Sequence, residues 1–291
     1  MTIVLQYSPV AIFLIMLGVG MNVSIKNFTE VFRNVKVLLA GLLLQMVMLP
    51  IIGFLFAIFS PIDLVLKLGI ILITCVPSSV TSNYITKLIN GNVALSVSLT
   101  SITACFSFIT IPFILLIVAP VAIDGGSIFQ ELNFIKMSLG LLMITTVPVL
   151  AGMIVNIRFS AFVEKINNFY SFFSLFLFAL IIIAAWFSEW DVIIGLYKSI
   201  GLLVTTLALA VLIISYIFVN LFNLNVANKK AIIVESFIQN AAMAIIVGGV
   251  VFGAESGYLA VAALYALLQY KILLFLWATN QFFKKLNKSL T

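Results

Sequence analysis

The residues of this chain that could do chemistry are concentrated in two stretches. The first, CVPSSVTSNYITKLINGNVALSVSLTSIT, runs from Cys75 to Thr103. It packs Ser78, Ser79, Thr81, Ser82, Asn83, Ser96, Ser98, Thr100, Ser101 and Thr103 into a chain that is 64% apolar. The second, Glu235-Ser236-Phe237-Ile238-Gln239-Asn240, lies far downstream in an equally apolar setting. Together they offer hydroxyls, amide oxygens and one carboxylate, the donors that hold a desolvated Na⁺ without histidine. The two stretches are expected to form one ion and solute site inside a bilayer.

Spacing supports convergence. Ser96, Thr100 and Thr103 repeat at i, i+4 and i+7, and Glu235 and Gln239 at i and i+4, so each set lies on one helical face. Pro77 cannot continue a helical ladder and frees carbonyls upstream of itself. At membrane depth such carbonyls are tolerated only where they line a cavity or are buried in protein. A bland reading competes for each residue singly: serine and threonine in membrane helices usually bond back to their own carbonyls, and a proline is often a simple kink. Glu235 resists that reading, because a carboxylate inside a span costs roughly 2.5–3.5 kcal/mol on insertion scales. The remaining structural alternative for Glu235 is a pair with Lys230 near the interface.

The elements that must position these residues follow from composition. The chain has 291 residues, 8% of them charged, and a mean hydropathy of +1.31. A water-soluble domain needs a polar shell that this composition cannot supply. Repeated apolar runs of about 20 residues are long enough to cross a hydrocarbon core of about 30 Å. The fold class is therefore an all-α polytopic membrane protein, a single integral membrane domain over residues 1–291. Nine spans are predicted: Ile3–Met21, Val37–Phe59, Leu64–Ile89, Val93–Val118, Phe134–Val155, Phe162–Phe187, Ile200–Phe222, Ala231–Phe252 and Tyr258–Phe282. The N-terminus lacks a basic leader and a cleavage site, so it reads as a first span rather than a signal peptide.

Charge sets the orientation. Lys26, Arg33, Lys36, Lys87, Arg158, Lys165, Lys229, Lys230, Lys284, Lys285 and Lys288 fall on one side. Only Lys67, Lys136 and Lys198 fall on the other, with Asp63, Asp124, Glu131, Glu189, Asp191 and Glu255. The positive-inside rule places the C-terminus in the cytoplasm and the N-terminus outside, in a cell membrane such as a bacterial inner membrane. The basic residues are scattered among turns, which argues against nucleic acid as a partner. With this orientation Gln45, Asn83, Thr100 and Gln239 share a level about 6–12 Å from the cytoplasmic end, at roughly 1.5 Å per helical residue. Lys271 is a second charge within a span, nearly opposite the polar stripe of Tyr258, Tyr265, Gln269 and Asn280. It is expected to pair with a neighbouring helix or to serve as counter-charge to an anionic solute, the equal alternative being a lysine that reaches the outer interface or bonds carbonyls.

On Ser82-Asn83, Ser96, Thr100 and Glu235-xxx-Gln239-Asn240, the whole chain resembles the bile acid–sodium symporter family. The resemblance implies two Na⁺ sites beside two broken helices that cross, a core domain moving against a panel domain, and inverted repeats. It implies that Ser82, Asn83, Ser96, Thr100 and Glu235 form a first Na⁺ site. Gln45, Glu235, Gln239 and the backbone carbonyls of Ser236 and Ile238 would form the second. Nine spans correspond to a variant of the family lacking the first helix of its ten-helix version. The chain departs from the family in carrying Ser78-Ser79-Val80-Thr81 where a Gly-Gly-Thr-like run is common.

The function this implies is sodium-coupled symport of an organic anion, either bile-acid-like or a small carboxylate or sulfonate, by a transporter acting as a monomer. Thr81, Asn240, Gln269 and Lys271 are the candidate substrate contacts. A related metalloid permease using Cys75 as thiolate ligand, another anion permease, and a proton-coupled carrier are the alternatives within transport. An intramembrane enzyme is disfavoured: there is no histidine for a dyad, and Glu235 is the only acid placed deep in a span. A purely structural or receptor protein would not need polar residues from four helices at one depth.

Overall fold

The computed structural model describes residues 2–23, 29, 31, 34–122, 134–188, 190–252 and 256–278. Among the described residues eleven helical segments follow one another: α1 Thr2–Met21, α2 Val35–Phe59, α3 Leu64–Cys75, α4 Val80–Leu88, α5 Val93–Ala122, α6 Phe134–Arg158, α7 Ser160–Ser188, α8 Trp190–Asn220, α9 Val226–Phe237, α10 Ala241–Phe252 and α11 Ser256–Ala278. Six of them (α2, α5, α6, α7, α8 and α11) are long and apolar enough to cross a membrane. The protein is a multi-pass helical membrane protein.

Two helical rods are interrupted. The first stops at Cys75, passes through extended backbone at Val76 and restarts at Val80. Pro77 explains the stop, since it has no N–H to donate and its ring clashes with the preceding turn. Ser79 makes the restart by capping Thr81 N with its hydroxyl. The second interruption runs from Ile238 to Asn240, between α9 and α10, and contains neither proline nor glycine. Its cause is tertiary. Ser78 and Gln239 form an isolated antiparallel bridge, with Ser79 N donating to Ile238 O (3.1 Å) and Asn240 N to Pro77 O (3.1 Å). Each break satisfies the backbone groups that the other leaves open, which is how non-helical backbone survives inside a membrane protein.

Prolines also shape α2 and α6 without breaking them. Each widens into a π-helical turn, Leu44–Met48 and Leu142–Thr146, just before Pro50 and Pro148. The wider turn makes room where a proline would meet the carbonyl four residues back. In α2 that turn contains Gln45 and carries it into the buried interior.

Packing divides the helices into neighbourhoods. α1 lies against α6 and α7, whereas α3, α8 and α10 surround α11. The α1–α6 contact is a glycine crossing: a Cβ on Gly152 would sit 2.1 Å from Leu17 O, and one on Gly20 would sit 2.0 Å from Val149 O. Only bare glycine backbone fits at that separation. Asn90 takes φ 56° in the α4–α5 turn, a left-handed position that asparagine tolerates better than most residues.

The predicted spans differ from the helices mainly at their ends. α8 begins at Trp190 rather than Ile200, and α9 at Val226 rather than Ala231. Hydropathy falls at Asp191, Lys198, Lys229 and Lys230, but helical hydrogen bonding continues through them. The end of the ninth predicted span and the charges Lys26, Arg33, Asp124, Glu131, Glu189, Glu255, Lys284, Lys285 and Lys288 lie outside the described residues.

Candidate ion and solute site

The two breaks bring the polar stretches together around Glu235. Its carboxylate is 2% exposed and lies near the end of α9, just before the second break. Ser82 on α4 and Ser96 on α5 donate to Oε1; Ser78 in the first break and Thr100 on α5 (2.8 Å) donate to Oε2. Ser96 Oγ also lies 2.8 Å from Asn83 Oδ1, and Ser78 Oγ lies 2.9 Å from Thr100 Oγ1. Thus Ser82, Asn83, Ser96, Thr100 and Glu235 converge in one cage, together with Ser78.

This cage holds more oxygens than hydrogens. A hydroxyl carries one hydrogen. Ser82 Oγ nevertheless faces both Ser79 O (2.7 Å) and Glu235, and Thr100 Oγ1 faces Ser96 O (3.1 Å) and Glu235. Ser96 Oγ faces Asn83 Oδ1, Thr86 Oγ1 (3.3 Å) and Glu235. The four hydroxyl hydrogens of Ser82, Thr86, Ser96 and Thr100 cannot bridge all seven of these oxygen pairs at the same moment. A cation coordinated by several of them would relieve the conflict, because it takes lone pairs and needs no hydrogen. Among the described residues no group of three or more His, Cys, Asp or Glu side chains exists. The donor set is one of hard oxygens and suits an alkali or alkaline-earth ion.

A second group surrounds Gln45. Its Nε2 donates to Val76 O (3.1 Å) and to Gln239 Oε1 (3.1 Å), and Gln239 Nε2 donates to Ser236 O (2.6 Å). Gln45 Oε1 is buried and has no hydrogen-bond partner. Such an orphan acceptor is a place where a cation fits. Gln45, Gln239 and Ser236 O therefore lie together in one hydrogen-bonded group. Ile238 O is occupied in the bridge to Ser79 N, and both oxygens of Glu235 are turned toward the first group.

The substrate candidates separate. Asn240 is 1% exposed; its Oδ1 caps Met243 N (3.0 Å), and its Nδ2 is buried without a partner. Thr81 Oγ1 lies 2.6 Å from the hydroxyl of Tyr270. Gln269 does not face an open cavity. It braces the second break, accepting from Gln239 N (2.9 Å) and donating to Gln239 O (3.3 Å). Lys271 stands apart from the other candidates. It is exposed on the outer side of α11, two residues and about 200° round the helix from buried Gln269, and it takes no part in the cluster.

Sequence reasoning passed over two members of the site. Ser78 stood in the polar stretch, but nothing in its spacing singled it out as a partner of Glu235. Tyr270 has no neighbouring motif, and only the fold brings it to the first turn of α4. Thr103, by contrast, shares a face with Ser96 and Thr100 yet bonds only to Leu99 O and Thr100 O of its own helix. The alternative pairing of Glu235 with Lys230 is not formed: Lys230 Nζ donates to Ile89 O (2.9 Å).

A multi-pass helical protein with an oxygen-lined carboxylate between two interrupted helices has the build of a membrane transporter. The chain belongs to the Sodium Bile acid symporter family, which matches residues 9–196. Its members are transporters, not enzymes. The chain is 27% identical over 162 residues to the uncharacterized sodium-dependent transporter YocS of Bacillus subtilis (strain 168), covering 55% of this chain and 48% of that protein. To the probable sodium/metabolite cotransporter BASS1, chloroplastic, of Arabidopsis thaliana it is 25% identical over 248 residues, covering 85% and 60%. To the ileal sodium/bile acid cotransporter of Homo sapiens it is 32% identical over 143 residues, covering 49% and 40%. In each case the match spans less than two thirds of the relative's length.

Proposed function

We propose that this chain is a sodium-coupled symporter that imports an organic anion by alternating access. The observation that carries the reading is the hydrogen-poor cage around Glu235: a carboxylate buried among hydroxyls and carbonyls that compete for too few hydrogens. One Na⁺ binds among Ser82, Asn83, Ser96, Thr100 and Glu235. A second binds at Gln45 Oε1 with Gln239 and the carbonyls of Ser236 and Ile238, the latter through the lone pair that Ser79 N leaves free. Three names among the relatives, those of YocS, BASS1 and the ileal cotransporter, contain the word sodium, and this supports Na⁺ as the coupling ion.

Na⁺ would draw α4 and α5 onto α9, because their hydroxyls share the ion with Glu235. A ligand that binds one arrangement better shifts the population toward it. The anion then meets Asn240 Nδ2 and the first turn of α4 at Thr81, where buried donors and a helix N-terminus favour negative charge. Coupling is reciprocal: an anion that binds the sodium form more tightly also tightens sodium. The moving bodies are a panel of α1, α6 and α7 and a core of the remaining helices, a division supported by the packing of α1 on α6 and α7. Nine spans, built as inverted repeats, run from an external N-terminus to a cytoplasmic C-terminus in a cell membrane, and the transporter works as a monomer. The cargo is a bile-acid-like anion or a small carboxylate or sulfonate.

The test is uptake into proteoliposomes of radiolabelled taurocholate and of a panel of small carboxylates and sulfonates. At least one anion should accumulate under an inward Na⁺ gradient and not under an equal K⁺ gradient. Accumulation of an anion equally in both gradients would contradict sodium coupling.

A further inference from the structure

Lys230 has no place in the ion site, yet it is 7% exposed in the interior of a membrane protein. A buried ammonium must find polar partners. Its partner is Ile89 O, at 2.9 Å. Ile89 is the C-terminal cap of α4, so its carbonyl belongs to the negative, unsatisfied end of that helix. A lysine there makes a charge-assisted bond to a helix end.

That bond closes a frame around the cage. α4 is nine residues long, Val80 to Leu88. Near its start Ser79 N is tied to Ile238 O, and Ser82 reaches Glu235. At its far end Lys230 ties it to α9 again. The seam continues into α5: Asn92 N donates to Ala227 O (2.9 Å) and Asn92 Nδ2 to Asn228 Oδ1 (2.8 Å). Asn92 Oδ1 accepts from Leu95 N (3.1 Å), and Asn92 O accepts from Ser96 N (3.1 Å). Ser96 is itself a cage residue. The start of α9 therefore grips the end of α4 and the first turn of α5, the two helices whose hydroxyls surround Glu235.

We propose that Lys230 is a positioning residue for the ion cage, holding α4 and the start of α5 in register with Glu235 without touching the ion. This rests on the sodium reading above. The experiment is a NaCl titration of thermal stability in the purified full-length protein, at constant total NaCl plus KCl. Wild type is compared with Lys230→Met, Lys230→Arg and Asn228→Ala. Lys230→Met should raise the half-stabilising Na⁺ concentration about tenfold, the scale of one lost charge-assisted hydrogen bond. Lys230→Arg, which keeps the donor and charge, should stay within about threefold of wild type, and Asn228→Ala should shift in the same direction as Lys230→Met by a smaller factor. If Lys230→Met only lowers the melting temperature in KCl and leaves the half-stabilising Na⁺ concentration unchanged, Lys230 is structural and the inference fails alone. If Lys230→Met does not fold, an unchanged half-stabilising concentration in Asn228→Ala overturns it equally. A wild type indifferent to Na⁺ overturns the sodium reading and this inference with it.

Discussion

Replacing Ser96 by alanine separates an ion cage from an ordinary polar core. Ser96 Oγ is fully buried, donates toward Glu235 Oε1, and lies 2.8 Å from Asn83 Oδ1 and 3.3 Å from Thr86 Oγ1. In the ion-free protein, alanine removes one bond to a carboxylate that keeps Ser78, Ser82 and Thr100. It also relieves an oxygen that has more acceptors around it than hydrogens. The net loss of stability in KCl should be small, about 1 kcal/mol. With Na⁺ bound, the same change removes an oxygen from the ion and cuts the link to Asn83. A lost bond to a charged group is worth about 1.5–3 kcal/mol; less the about 1 kcal/mol already lost without the ion, the rise in the Na⁺ concentration needed for half the stabilisation is roughly 2- to 30-fold. The assay is a melting titration in NaCl at constant ionic strength, with Thr103→Val as control, since Thr103 bonds only to its own helix. The control should keep the wild-type Na⁺ dependence. An unchanged Na⁺ dependence in Ser96→Ala, or an equal shift in both variants, would refute the reasoning.

Two further substitutions test other parts of the account. Gly152→Ala places a methyl 2.1 Å from Leu17 O, a backbone atom that cannot swing aside, so α1 and α6 must separate. A destabilisation of about 3 kcal/mol or more is expected, seen as a lower melting temperature in NaCl and KCl alike. Lys271→Met should leave the Na⁺-dependent stabilisation and the anion preference of uptake unchanged, because Lys271 faces outward from α11. A changed anion preference would return it to the solute pathway.

What was legible in the sequence followed from local chemistry. Composition and apolar runs announced a helical membrane protein. Pro77 marked the first break because a missing N–H is visible in one letter. The i, i+4 spacing put Ser96 and Thr100 on one face, and the cost of burying Glu235 identified it as the centre. What was not legible depends on tertiary pairing. The second break has no breaker residue; it exists because Ile238 and Asn240 bond to the first break. Gln45 enters the site through a π-helical turn that depends on Pro50, downstream of it. Gln269 looked like a solute contact because it is polar and deep, yet its amide is consumed by the backbone of Gln239. Lys271 looked functional because charge in a span is costly, but only the helix's neighbours decide which side of α11 meets the interior.

The most direct test of the central claim is the melting temperature of the purified protein in NaCl against KCl at equal ionic strength, for wild type and Glu235→Gln. A ligand that binds only the folded state must raise its stability. Wild type should melt higher in NaCl, and Glu235→Gln, which keeps the shape but removes the charge the ion neutralises, should melt equally in both salts. Equal melting of wild type in the two salts at high Na⁺, or a full Na⁺ response in Glu235→Gln, would contradict a sodium cage built around Glu235.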